Sequence, residues 1–235
     1  MIRVAALEIP ARWGDPRAQV AEARALLARA PCDVALLPEA SLTGYVSPRG
    51  ATDLRAFAEP IDGPTAEALA AMARDHGTHV VGPIVEREGE RFFNTMAVFA
   101  PSGARVARYR KRHPWYPEAW ATPGEDALPA FEIAGATLTI CVCFDVHFVA
   151  RESDHALRAA DVLLFPSAWV EEDDSRAERL SALARRFDIA IVNANWGRGT
   201  PRVPGQGASR IVDRTGTTLA ISTRAPERID AVLMP

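Results

Sequence analysis

Residues 92–111 read FFNTMAVFAPSGARVARYRK, and their pattern sets the architecture. Two apolar runs, Phe92 to Phe99 and Ala104 to Tyr109, flank Pro101, Ser102 and Gly103, residues suited to a tight turn. The segment therefore predicts an antiparallel hairpin. Another strand, His79 to Val85, precedes it across the charged turn around Gly89, so the middle of the chain reads as a meander.

Strands and helices alternate on either side of that meander. Toward the N-terminus, the pattern predicts a strand over Ile2 to Leu7, a helix from Pro16 to about Arg29, a short strand from Asp33 to Leu37 and a helix from Pro64 to Asp75. Toward the C-terminus, Pro114, Pro117, Pro123 and Gly124 punctuate a long loop that contains Trp115, Tyr116 and Trp120. Strand Ala136 to Val142 ends at Cys143, and helical sequence continues through Leu157. Strand Val162 to Phe165, helix Ser175 to Arg186 and strand Ile189 to Asn193 follow, with Ser209 to Val212, Thr217 to Ile221 and Ile229 to Val232 completing the pattern. Helices that follow strands in both halves, interrupted by hairpins, predict an α/β fold of two packed sheets with helices on the outer faces. No linker or composition break divides the chain, so residues 1–235 are expected to form one domain.

Composition narrows the function. The 235 residues are 48% hydrophobic, and 27 basic against 30 acidic side chains leave a formal net charge of −3. That profile fits a packed enzyme-sized domain and excludes a dedicated nucleic-acid binder, since only Arg108 to His113 forms a basic cluster. No segment reaches the roughly 20 apolar residues of a membrane span. The start, MIRVAALEIP, carries Glu8 and does not read as a signal peptide. Cys32, Cys141 and Cys143 lack zinc-ligand spacing, and neither they nor His76, His79, His113 and His155 suggest a metal. A reducing, cytoplasmic setting without a cofactor is the expectation.

Three reactive side chains stand at ends of predicted strands: Glu39, Lys111 and Cys143. Lys111 is the only lysine among the 27 basic residues, a position where a compact ammonium is kept while every other cation is arginine. A cysteine nucleophile needs a proton acceptor and a positive group near the developing oxyanion, and glutamate and lysine supply both. Taken singly, Glu39 also fits a helix cap and Cys143 a packed core thiol. Cys141 shares the side-chain parity of Cys143 and is expected in the core. His147, four residues beyond Cys143, leaves a Cys-His arrangement open.

The ordered blocks of the sequence resemble the nitrilase superfamily, the carbon-nitrogen hydrolases, nearly end to end. LLPEASLTGY at Leu36 to Tyr45, the hairpin leading to Lys111, HPWYPEAW around Glu118, CFDVHF from Cys143, LLFPSAW from Leu163 and IVNANWGRG from Ile191 match the family's blocks in order. The resemblance implies a four-layer αββα sandwich with Glu39 as general base, Lys111 as oxyanion stabiliser, Cys143 as nucleophile and Glu118 as a supporting glutamate. It also implies an oxyanion contact from the backbone N–H of Phe144. The implied reaction converts a small amide to a carboxylic acid and ammonia through a Cys143 thioester, with nitrile or N-carbamoyl hydrolysis as alternatives using the same residues. A non-catalytic, ligand-binding descendant is the non-enzyme alternative. The implied partners are a small amide or nitrile and further copies of the chain, in a homodimer or a small multiple of it. The short end after Met234 argues against a large spiral assembly. His147 and Trp196 stand where the family commonly has arginine. Tyr45, Trp115, Trp120, His147, Trp169, Asn195 and Trp196 are the expected substrate-binding residues, and the aromatic ones predict a pocket for an apolar or aromatic acyl group.

Overall fold

A computed structural model describes all 235 residues. The chain begins with β1 (Ile2–Glu8), α1 (Pro16–Leu27), β2 (Val34–Leu36) and α2 (Pro64–His76), followed by β3 (His79–Glu88), β4 (Arg91–Phe99) and β5 (Arg105–Arg110). The second half contains β6 (Phe131–Ile133), β7 (Ala136–Ile140), the short helices α3 (Val149–Glu152) and α4 (Asp154–Arg158), and β8 (Val162–Ser167). It continues with α5 (Ser175–Phe187), β9 (Ala190–Asn195), β10 (Arg210–Val212), β11 (Thr218–Ile221) and β12 (Glu227–Leu233).

Two six-stranded sheets result, in the orders β12-β1-β2-β3-β4-β5 and β11-β10-β9-β8-β7-β6. Each holds a parallel trio, β1-β2-β3 and β7-β8-β9, in which Val4 pairs with Val34 and Leu138 with Val162. Parallel strands need crossover connections, and the helices provide them on the outer faces. Covered on both sides, these strands are buried at nearly every position rather than at alternate ones. Only Arg3 in β1 is exposed, and β8 and β9 are buried throughout.

The inner faces meet through Val4, Leu36 and Val98 from the first sheet and Leu138, Leu164 and Val192 from the second. On the outer face of the first sheet, Leu26 of α1 and Leu69 and Met72 of α2 pack over Val80 and Ala97. Gly82 in β3 permits the closest approach: a Cβ there would stand 2.4 Å from the side chain of Leu69. Leu180, Leu183 and Phe187 of α5 join the core against the second sheet. The layers are helix, sheet, sheet, helix.

Local chemistry starts and stops the elements. Asp15 accepts the Ala18 N–H at 3.1 Å and Pro16 occupies the first turn of α1, while α2 ends at Gly77 with a φ of 59°. Three features differ from the sequence expectation. β3 extends to Glu88 because its pairing with β4 continues to the Glu88–Arg91 pair at the turn. β6 is a three-residue strand that pairs with β7 across Ala134 and Gly135, both at positive φ, and is too short to show a period. The helical stretch after Cys143 is broken into a 3₁₀ turn over Cys143–His147 and the helices α3 and α4, which meet at Ser153.

Candidate active site

Glu39 lies just beyond β2, Lys111 directly after β5, Cys143 shortly after β7 and Ala168 directly after β8. These strand ends converge. The Glu39 carboxylate accepts the backbone N–H of Ala168 at 2.9 Å through Oε2, so a residue beyond a central strand of the first sheet is fixed by the backbone that follows β8 of the second. Its Oε1 receives the Lys111 ammonium at 2.7 Å. The same ammonium reaches Glu118 Oε2 at 2.5 Å. Lys111 is 1% exposed, so its charge is held by these carboxylates rather than by water.

Asn94 completes the arrangement. Its amide nitrogen donates to Glu39 Oε1 at 2.8 Å and to Glu118 Oε1 at 2.6 Å. The backbone N–H of Trp115 also donates to Glu118, at 2.6 Å. Two like charges are thereby held together by shared donors. Burial pushes the Glu118 carboxyl above its ordinary range and the charge of Glu39 adds to this, against the pull of Lys111. Burial acts to lower the pKa of Lys111, but Glu39 and Glu118 outweigh it and hold the ammonium's pKa well above its ordinary value.

Cys143 begins the 3₁₀ turn at a φ of 45°, a left-handed backbone that only glycine adopts freely. Its thiol is pushed well up by burial and by the charge of Glu39, with Glu118 adding, while Lys111 and the Ala168 N–H act in the opposite sense. Ionising sulfur beside two carboxylates and one ammonium would leave two uncompensated negative charges, so the resting thiol keeps its proton.

Asp145 fixes the turn to the lysine segment. It accepts Tyr109 Oη at 2.9 Å, the Val142 N–H at 3.1 Å and the His113 N–H at 2.8 Å. Tyr109 and His113 flank Lys111, and Val142 precedes Cys143.

A cavity of about 110 Å³ opens onto Cys143. Phe144, Trp115 and Trp169 form much of its lining, His147 and Glu171 stand in it, and Ala168 and Val170 complete it. His147 lies parallel to Trp169, with ring centroids 6.1 Å apart and planes 11° from parallel. Burial and the charge of Arg179 push its pKa down against the pull of Glu171, so its ring is uncharged at neutral pH.

The other expected binding residues do not line this cavity. Tyr45, Trp120, Asn195 and Trp196 are buried. Tyr45 lies near the carboxylates, whose charges add to the effect of burial in pushing its hydroxyl pKa well up, and it packs edge-on to Trp196. Asn195 accepts the Trp169 N–H at 3.0 Å and donates to the carbonyls of Gly205 and Gly207, holding the backbone that follows β8. Trp196 Nε1 donates to the Trp169 carbonyl at 2.7 Å. Tyr116 is 80% exposed. Asn94, Asp145 and the Ala168 N–H escape the sequence reading; the available signal for Asn94 is an amide set inside the apolar run FFNTMAVF. No group of three or more histidine, cysteine and acidic side chains is placed to hold a metal ion, and no helix is long and apolar enough to cross a membrane.

Comparison with known proteins identifies the family. The chain is 26% identical to a nitrilase of Pyrococcus abyssi over 97% of its own length and 88% of that protein. It is 29% identical to a formamidase of Bacillus cereus, over 84% of this chain and 60% of the relative. Among solved structures, an amidase of Nesterenkonia, studied with its cysteine replaced by alanine, superimposes with a TM-score of 0.87 at 26% identity, covering 97% of this chain and 89% of that one. Another structure of that amidase shows the acetamide moiety of fluoroacetamide added covalently at the active-site cysteine, and Cys143 is the cysteine at this position here. The family description carbon-nitrogen hydrolase matches residues 3–230. A chain matched over that span, with a cysteine at the amidase position, belongs to the carbon-nitrogen hydrolase family.

Proposed function

We propose that the protein hydrolyses a small amide to a carboxylic acid and ammonia through a thioester on Cys143. The observation that carries this reading is the buried Lys111 ammonium, held at 2.7 Å from Glu39 and 2.5 Å from Glu118, beside a thiol that opens into a cavity. A lysine whose proton is bound more tightly than usual is no base; it stabilises charge. Glu39 is left as the proton acceptor.

The reaction begins as the Cys143 sulfur attacks the carbonyl carbon while its proton passes to Glu39. Lys111 and the backbone N–H of Phe144 hold the negative oxygen of the tetrahedral intermediate. Glu39 returns the proton to nitrogen, the C–N bond breaks and ammonia leaves. Water then attacks the thioester, Glu39 accepts its proton, and the acid departs as the thiol is restored. General acid–base assistance of this kind contributes about 10²- to 10⁴-fold. Glu118 orients Lys111. Amide is favoured over nitrile by the amidase and formamidase relatives; nitrile hydrolysis is the second reading, supported by the nitrilase relative. The same reading treats the chain as a single-domain homodimer in a reducing cytoplasm, consistent with three free thiols.

Intact-protein mass measurement after mixing with small amides and nitriles, together with ammonia and acid release, tests the proposal. An acyl adduct in the parent and its absence in Cys143→Ala support it. Ammonia release that persists in Cys143→Ala contradicts the nucleophile, and release from nitriles without amide turnover replaces the amide reading with the second.

A further inference from the structure

The lining of the catalytic cavity has an uneven chemistry. Trp115, Trp169 and Phe144 present aromatic rings, and the one carboxylate among the lining side chains is Glu171. No lysine or arginine lines this space. The arginines of the adjoining surfaces stand outside the lining. Arg179 lines a groove between the turn after Cys143 and α5 that shares His147 with the cavity, while Arg176 and Arg198 line a pocket toward Gly205 and Gly207 that shares Trp169 and Glu171 with it. Arg176 donates through one nitrogen to the carbonyls of Gly207 and Ala208, and its other two nitrogens have no hydrogen-bond partner. Asp174 in the same loop pairs with Arg210 and Arg176, but Glu171 meets no cation and accepts only the Ser175 hydroxyl.

An acidic acyl chain entering this cavity would bring its carboxylate against Glu171 and find no lysine or arginine among the lining side chains. A cationic chain meets the opposite situation. Aromatic faces attract a cation through their quadrupole, and a carboxylate at the same wall adds direct attraction. We propose that the cavity selects an amide whose acyl chain ends in an ammonium group, with Glu171 and the rings of Trp115 and Trp169 as the specificity-determining residues, and that it rejects an acyl carboxylate. This rests on the amide-hydrolase reading and specifies its substrate class. The cavity of about 110 Å³ accommodates a short acyl chain.

Three amides of nearly equal length test the assignment: β-alaninamide, butanamide and succinamic acid, which end in ammonium, methyl and carboxylate. The expected order of kcat/KM at neutral pH and low salt is β-alaninamide, then butanamide, then succinamic acid, with at least about fivefold at each step. Glu171→Gln is expected to reduce the ratio of β-alaninamide to butanamide by about fivefold, and Glu171→Lys to invert the order of β-alaninamide and succinamic acid. Butanamide or succinamic acid matching β-alaninamide in the parent overturns the assignment, whatever the variants do. A parental ratio that survives Glu171→Gln removes Glu171 from it. Because each ratio is taken within one protein, it is independent of the fraction of variant that folds. Absence of both turnover and a Cys143 adduct with all three amides, and with the wider amide and nitrile panel, is a different result: it rejects the hydrolase reading itself.

Discussion

The Asp145 carboxylate accepts the backbone N–H of His113 at 2.8 Å, which ties the segment just past Lys111 to the turn that bears Cys143. The other contacts of Asp145 lie on Tyr109 and Val142, so one buried acid spans both reactive strands. Asp145→Asn turns an amide N–H toward one of these donors. It is expected to cost about 1–3 kcal/mol of stability and to lower kcat by about tenfold or more while KM changes little. Denaturant melts and steady-state kinetics read these separately. Parental kcat in a destabilised variant would make Asp145 purely structural.

Lys111→Arg retains the charge and loses the fit. The ammonium sits between carboxylates 2.7 and 2.5 Å away with no solvent space, and a planar guanidinium there forces its neighbours apart. The expected outcome is a loss of about a hundredfold in kcat/KM and about 1–3 kcal/mol of stability. Near-parental turnover would show that the position requires only a positive charge.

Asn94→Leu removes the donor shared by Glu39 and Glu118. The carboxylates then repel with less compensation, which favours protonation of the pair. The acid limb of the kcat/KM profile is expected to move to higher pH, and kcat/KM at neutral pH to fall. An acid limb in its parental position would show that Lys111 and the backbone N–H groups of Trp115 and Ala168 hold the pair without Asn94.

Glu8 gives a signed pH effect away from the cavity. Its buried carboxyl accepts the Ser209 N–H and hydroxyl and the Ser222 hydroxyl, yet burial outweighs these donors and raises its pKa. A carboxyl that binds its proton more tightly folded than unfolded supports stability fully below the ordinary carboxylate range, and that contribution is lost as pH rises through its folded value. Glu8→Gln is therefore expected to raise Tm at neutral pH by a few degrees and to give little gain at low pH. A uniform drop in Tm at every pH would contradict this.

Much of this arrangement was legible in one dimension because strand ends are marked by punctuation. Pro38 before Glu39, the end of the hairpin at Lys111 and the apolar run into Cys143 place each reactive group beyond a strand, and the solitary lysine singles itself out. The contacts that make a site of them are not local. Asn94 lies 55 residues from Glu39 and 24 from Glu118, and Asp145 lies 36 from Tyr109, separations at which no periodic pattern reports a neighbour. Tryptophan is equally mute about direction: Trp115 and Trp169 line the cavity, whereas Trp120 and Trp196 are packed elsewhere, and composition treats all of them alike. The break of the helical stretch after Cys143 was hidden for a related reason, since a left-handed cysteine is a choice made by tertiary structure against local preference.

Asn94 lies in the first sheet and Glu39 and Lys111 follow its strands, Cys143 and Ala168 follow strands of the second, and the Glu39–Ala168 bond crosses between them. On the proposed mechanism neither sheet alone assembles a working centre, so recovery of turnover during refolding is expected to report the moment the two sheets close on each other.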